Sequence, residues 1–192
     1  MPNEIEAKFA EIDVADCRAR LAAAGFECVR GWCLMRRHTF FLTELNPTPF
    51  KWARVRDNGD GSVTMAFKHE HDNSHIHGTE EVELAVGDFD TAALFLEKLG
   101  FEDRSYQENY RETWLKDGVE VTLNEWPELP AFAEVEADNE AAVRAACAAL
   151  GFDYAEAVFG GVGRLYDAHP DWVGRRVNDV RELTFPKGEA RA

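Results

Sequence analysis

Three short segments of this 192-residue chain set two glutamates around one β-branched residue: Glu4-Ile5-Glu6, Glu81-Val82-Glu83 and Glu134-Val135-Glu136. Each is followed by a helix-like stretch that ends in Gly-Phe, at Gly25-Phe26, Gly100-Phe101 and Gly151-Phe152. On a strand, side chains at i and i+2 share a face. Each segment therefore aims two carboxylates at one side of a sheet and an apolar residue at the other. Six glutamates facing one interior require cations among them. Alternation supplies these. Lys8 follows Glu4 and Glu6, Arg54 and Arg56 share a face with Trp52, Lys68 shares one with Thr64 and Ala66, and Arg111 lies between Asn109 and Thr113. Carboxylate oxygens suit a hard divalent cation, and Lys and Arg suit phosphate. The set points to Mg²⁺ or Mn²⁺ beside a polyphosphate.

The elements that must hold these groups follow from periodicity. Residues 3–9 alternate as a strand, and Asp13 caps a helix over 14–24 that Gly25 stops. Residues 28–43 alternate loosely, and Asn46-Pro47-Thr48-Pro49 reads as a loop. Strands over 50–56 and 62–68 flank the turn Asn58-Gly59-Asp60-Gly61. Residues 69–78 read as a polar loop or hairpin end, followed by a strand over 79–86. Asp88 or Asp90 caps a second helix ending at Gly100. Residues 106–116 and 119–125 make a hairpin about Asp117-Gly118, and Pro127 and Pro130 bracket a loop. Residues 132–137 form a strand, Asp138 caps a third helix over 140–150, and the tail from 154 is partly helical. These elements predict an α+β fold, an eight-stranded antiparallel β-barrel or tunnel with helices packed outside. The opposite strand faces carry Ile5 and Phe9, Val55, Met65 and Phe67, Val82 and Leu84, Trp114 and Val135, so the apolar side lies under the helices and the charged side faces inward. One such strand would suit a solvated sheet face with ordinary ion pairs. The same layout on five or more strands favours a charged interior.

Bulk properties bound the rest. The chain reads as one domain over 1–192, with a core of about 3–166 and a tail of about 167–192. A net charge of −15 argues against a duplex nucleic-acid partner. No run approaches a membrane span, and Met1-Pro2-Asn3-Glu4 lacks a signal-peptide layout, so a cytoplasmic protein with no membrane partner is expected. The cysteines at 17, 28, 33 and 147 have no metal-like pairing and read as reduced, mostly packing thiols.

Taken in order, these residues resemble the CYTH, or triphosphate tunnel metalloenzyme, superfamily. Glu4-Ile5-Glu6-Ala7-Lys8 matches its ExExK signature, Arg54 and Arg56 its R-x-R strand, and residues 64–68 the strand ending in lysine. Glu81 and Glu83 match the middle acidic pair, Arg111 the following basic strand, and Glu134 and Glu136 the late ExE. The resemblance implies an eight-stranded tunnel and Mg²⁺- or Mn²⁺-dependent chemistry on a small-molecule triphosphate. It implies metal binding by Glu4, Glu6, Glu134 and Glu136, with Glu81 and Glu83 near the metal, and triphosphate binding by Lys8, Arg54, Arg56, Lys68 and Arg111. Catalytic roles fall to Lys8, Glu81 and Glu83. Asn109 and Asn124 depart from the pattern, standing where relatives carry a cation and an aspartate. Arg36 and Arg37 have no assigned place.

The leading expectation is a metal-dependent triphosphatase acting on inorganic, nucleoside or thiamine triphosphate. The alternatives are a class IV-type adenylate cyclase on the same scaffold and a non-catalytic binder of polyphosphate or nucleotide. The oligomeric state is open, a homodimer through an outer face being compatible with such a barrel. His69, His71, His75 and His77 flank Asp72-Asn73-Ser74. They read as a polar loop at the tunnel mouth, the other reading being a transition-metal pinch. Gly160-Gly161-Val162-Gly163 lacks the lysine of a phosphate loop and reads as a turn. Trp126 and Pro127 read as packing residues rather than a tunnel cap.

Overall fold

The three repeated segments build one recurring unit, a strand followed by a capped helix. The helices are α1 (Val14–Ala23), α2 (Phe89–Lys98) and α3 (Glu140–Ala149). Their N-caps are Asp13, Asp88 and Asn139, whose side-chain oxygens accept from the backbone N–H three residues on, at 2.9, 2.8 and 2.9 Å. Asn139 thus replaces the expected Asp138, because the residue placed to reach the N–H of Ala142 is the one next to the helix. Gly25, Gly100 and Gly151 end the helices with φ of +83°, +94° and +73°. The N–H groups of Phe26, Phe101 and Phe152 return to the carbonyls of Leu21, Leu96 and Cys147, closing a Schellman motif each time.

The computed structural model describes residues 3–42, 50–71, 74–172 and 175–186, without the side chains of residues 3, 4 and 50. The expected loop at 46–49 and positions 72–73 lie outside the described residues. The strands are β1 (Asn3–Glu4), β2 (Glu6–Phe9), β3 (Glu27–Phe41), β4 (Phe50–Asp57), β5 (Val63–Glu70), β6 (Thr79–Val86), β7 (Glu102–Lys116), β8 (Val119–Trp126) and β9 (Leu129–Ala137). Their order is β1-β6-β5-β4-β3-β7-β8-β9-β2, and every one of these pairs is antiparallel. β1 and β2 are two pieces of one N-terminal strand broken at Ile5. The first pairs Glu4 with Thr79 and the second pairs Lys8 with Glu134, so this strand touches both ends of the curled sheet. Counted as one, the pieces make the expected eight strands. A short β10 (Glu182–Leu183) adds to β7 in parallel, and a short α4 (Gly163–Ala168) precedes it.

The apolar core lies outside the curl, as the alternation requires. Leu21 of α1, Val143 and Cys147 of α3 and its C-cap residue Leu150 cover Ala7, Val121, Leu123 and Val135. Phe89, Ala92 and Leu96 of α2 cover Phe40, Ala53 and Val55. A buried leucine such as Leu21 contributes about 1.5–3 kcal/mol over its exposed state. The tail is part of this architecture: Trp172, Val177 and Leu183 pack with Trp126, Phe132 and Tyr166. All four cysteines are free thiols: Cys17 and Cys147 are buried, Cys33 is half-buried and Cys28 is exposed. Among the described residues no helix is long and apolar enough to cross a membrane.

Among the boundaries that differ from expectation, three have a clear structural cause. β7 starts at Glu102, four residues before Tyr106, because it pairs along most of the 15-residue β3. β9 starts at Leu129, so Pro130 sits within a strand; the register shifts there opposite Asn124 and Trp126, which frees the position from the ladder. β5 continues to Glu70, pairing His69 and Glu70 with Glu80 and Thr79 instead of leaving them in a loop.

Candidate functional site

Inside the curl lies a cavity of about 1460 Å³. Its basic side is written in the register of β3, β4 and β5. Arg37 stands opposite Arg56, and Trp52 opposite Lys68. Arg54 donates to Glu81 at 3.0 Å and to Glu83 at 2.7 Å, and Lys68 reaches Glu81 at 3.0 Å. Arg56 is held by the Asn58 carboxamide oxygen at 2.7 Å and lies 3.5 Å from Glu83. Burial pushes the Glu83 carboxyl up, but Arg54 and Arg56 outweigh it and hold it below its ordinary value. Burial, then the charges of Arg54 and Arg111, push Arg56 down to about 9, which leaves it charged at neutral pH.

Arg37 joins this side, whereas Arg36 points away to Asp57 at 3.0 Å. The Arg37 side chain is buried, its Nε donates to Gln107 at 2.8 Å, and its guanidinium lies 4.4 Å from the Trp126 ring and 5.8 Å from the Trp52 ring. Among the described residues no carboxylate lies within ion-pair distance of it. Burial, then Arg54, Arg56 and Arg111, hold its pKa well below the usual arginine value. Four guanidiniums therefore share one compartment. One neutral amide and two indole faces hold one of them, a setting that suits an incoming polyanion.

The acidic side is a pair of transverse rows. Glu6, Glu136 and Glu120 stand in register across β2, β9 and β8, and Lys8, Glu134 and Thr122 form the next row. Lys8, 1% exposed, bonds Glu6 and lies 3.3 Å from Glu134. Glu134 accepts from Arg111 at 2.6 Å, Thr122 at 3.0 Å and Asn124 at 3.3 Å. Burial opposes ionisation of Glu134, but Lys8 and Arg111 prevail and hold its carboxyl far below the ordinary range. Burial likewise works against Arg111, yet Glu134, Glu120, Glu6 and Glu136 raise it.

Of the expected residues, the structure brings Glu6, Lys8, Arg54, Arg56, Lys68, Glu81, Glu83, Arg111, Glu134 and Glu136 to one cavity. The backbone of Glu4 pairs with Thr79, and the expectation for its side chain lies outside the described residues. Asn124 accepts from Arg111 Nε at 2.7 Å while donating to Glu134, a double role that an ionised aspartate cannot perform. Arg37 and Glu120 were missed as site residues. Glu120 lies one alternation step from Thr122, whereas Arg37 is found only through its pairing opposite Arg56, a register that local sequence does not carry. The glycine cluster turns the chain over 160–162, as expected, before Gly163 opens α4, and the Gly161 N–H donates to Glu70 at 3.4 Å. Trp126 packs, as expected, and also carries Arg37.

The donor chemistry of the Glu6, Glu120 and Glu136 row fits a hard divalent cation: three carboxylates on adjacent strands, with Glu134 next in line. Among the described residues these oxygens do not gather in threes within 4.8 Å. Lys8 draws Glu6 aside instead, so loading such a site would require side-chain rotation.

No family model and no curated protein matches the sequence. Solved structures do match the fold. A protein from Pyrococcus horikoshii superposes with a TM-score of 0.68 at 22% identity, over 80% of this chain and 93% of its own. An adenylate cyclase candidate from Vibrio parahaemolyticus gives 0.70 at 15% identity, over 86% and 98%. An adenylyl cyclase candidate from Hippeastrum, described as having a dominant triphosphatase activity, gives 0.55 at 16% identity, over 82% and 91%. At these identities the likeness is one of fold, and it is the fold that the tunnel-superfamily resemblance implies.

Proposed function

We propose that this chain is a metal-dependent phosphoric anhydride hydrolase that takes a small-molecule triphosphate. The observation that carries the reading is the four-guanidinium compartment of Arg37, Arg54, Arg56 and Arg111 facing a carboxylate row in the same cavity. The Hippeastrum structure's described triphosphatase activity supports it at the level of fold.

In this reading Arg54, Arg56 and Arg37 neutralise the phosphoryl oxygens, and Lys68 extends the grip along the chain of phosphates. Arg111 links the two sides, and Lys8 lies between the carboxylates of Glu6 and Glu134. In this reading both take up charge that develops on the leaving phosphate. Glu6, Glu120 and Glu136 would hold Mg²⁺ or Mn²⁺, with Glu134 adjacent. When bound, the ion supplies Lewis-acid neutralisation of phosphate oxygens. Glu81 and Glu83 already accept from Arg54, and Arg54 and Arg56 keep Glu83 ionised. Such carboxylates orient a water as hydrogen-bond acceptors rather than as strong bases.

The test is phosphate release from tripolyphosphate, ATP and thiamine triphosphate with Mg²⁺ and with Mn²⁺, beside a Glu6→Gln/Glu136→Gln variant. The reading expects release that requires metal and falls about 100-fold or more in the variant. Cyclic AMP and pyrophosphate from ATP would replace it with the cyclase reading. Binding of the three compounds without turnover would replace it with a sensor.

A further inference from the structure

The β5–β6 hairpin carries a second polar cluster on the reverse side of the cavity wall. His69 stands opposite Glu80, one residue out of phase with the inward pair Lys68 and Glu81. Alternation therefore turns His69 and Glu80 outward. His71 lies just beyond the end of β5, where its N–H donates to the Gly78 carbonyl at 2.8 Å and holds the two arms of the hairpin together.

Three donors converge there. One nitrogen from each histidine and a Glu80 carboxylate oxygen all lie within 4.8 Å of one another. Glu80 Oε2 is 3.6 Å from His69 Nδ1 and 3.2 Å from His71 Nε2. The imidazole centroids are 3.7 Å apart. The other nitrogen of His69, Nε2, is buried and meets no hydrogen-bond partner among the described residues, so this ring's polar contacts are confined to the Glu80 side. His77 belongs to a different contact, 3.3 Å from Glu140.

An ordinary ion pair accounts for one imidazole on a carboxylate. It does not account for two imidazoles in ring contact that converge on the same oxygen. Tetrahedral zinc binds imidazole nitrogen and carboxylate oxygen at about 2.0–2.2 Å, which sets ligand atoms about 3.3–3.6 Å apart. The two separations to Glu80 lie close to that edge length. Imidazole-rich sets favour borderline transition metals over the Mg²⁺ and Mn²⁺ suited to carboxylate rows.

We propose that His69, His71 and Glu80 form a transition-metal site of the zinc type on the outer face of this hairpin, separate from the carboxylate row. An ion there clamps β5 to β6 beside the cross-strand pair Lys68 and Glu81. The proposal does not depend on what the cavity hydrolyses or binds.

The test is a zinc titration of the chelator-stripped full chain in millimolar Mg²⁺, read by competition with a chromogenic zinc indicator and by the melting temperature. Wild type and Glu6→Gln/Glu136→Gln are expected to bind one zinc equivalent and to melt higher as zinc is added. His69→Ala/His71→Ala is expected to bind at least about 10- to 100-fold more weakly, since losing a direct ligand weakens binding no less than losing a supporting group. Glu80→Gln, which keeps shape and removes charge, is expected to weaken zinc without changing the melting temperature of the metal-free protein. Unchanged zinc affinity in the double histidine variant, or no zinc on wild type, overturns the proposal. Loss of the site in Glu6→Gln/Glu136→Gln alone would overturn it equally, by placing the zinc in the cavity.

Discussion

Arg37 is a buried guanidinium whose hydrogen-bond partner is a neutral amide, Gln107, and whose flat faces meet Trp126 and Trp52. Three further guanidiniums, on Arg54, Arg56 and Arg111, act against its charge. Replacing a buried charge with a well-packed apolar chain is often neutral or stabilising. If Arg37 serves a triphosphate, its replacement separates activity from stability. Arg37→Met is expected to lower kcat/KM for the best triphosphate by about 100- to 1000-fold, the range seen when one charge-stabilising donor is lost. The same variant should melt at or above the wild-type temperature. Steady-state kinetics and thermal denaturation in one buffer check this; a variant that melts lower yet hydrolyses normally would make Arg37 a packing residue. The sequence placed Arg54 and Arg56 readily because strand β4 is short and bounded by a strong turn. Arg37 escaped because β3 is long, irregular and register-shifted near Cys28–Cys33 and Thr39/Phe40, so counting from its start loses the face.

At the scale of elements, the hairpin joining β4 and β5 matters most to the basic side. Asn58 is buried at its first turn position, accepting from Arg56 and donating to the Ser62 hydroxyl at 3.1 Å. The next residue, Gly59, has φ +75°, and a Cβ there would lie 2.3 Å from the Leu34 backbone oxygen of β3. Both the backbone conformation and the space demand glycine. Gly59→Ala is therefore expected to cost about 1–3 kcal/mol of folding stability, the usual range for a strained site, and to weaken substrate binding by shifting Asn58 and Arg56. Urea denaturation with a KM measurement tests both parts; wild-type stability would mean that the hairpin moves off β3 without loss. The turn itself was legible, since Asn-Gly-Asp-Gly between alternating runs has few other readings. Its docking on β3 was not, because contact between elements distant in sequence leaves no local pattern. The repeated Gly-Phe endings were legible for the opposite reason: a Schellman cap is closed by residues within one turn.

At the scale of the whole molecule, charge is sorted radially and then again across the cavity. The chain carries a net −15, yet arginines crowd one side of its interior. The eight-stranded inverted barrel could be read from alternation, because a period of two survives wherever one face is charged and the other apolar. Which cations pair with a carboxylate among the described residues could not be read, because pairing depends on register between strands. That partition has a measurable consequence. The folded pKa of Arg56 is pushed down to about 9, well below its value in the unfolded chain. At neutral pH both states hold the proton, so the folded chain carries the cost of burying that charge beside Arg54 and Arg111 in full, and only above about pH 9 does rising pH begin to relieve it. A polyanion that binds the folded state relieves it at neutral pH. Tripolyphosphate without metal at about a hundred times its Kd should stabilise by about 2.7 kcal/mol. For a chain of this size that corresponds to a rise of about 5–10 °C in melting temperature. Inorganic phosphate at matched ionic strength should give a smaller rise, and Arg37→Met should respond less than wild type to tripolyphosphate. An equal rise with both anions, or one undiminished in Arg37→Met, would mean that the stabilisation comes from screening of the acidic exterior and not from a triphosphate seated among the arginines.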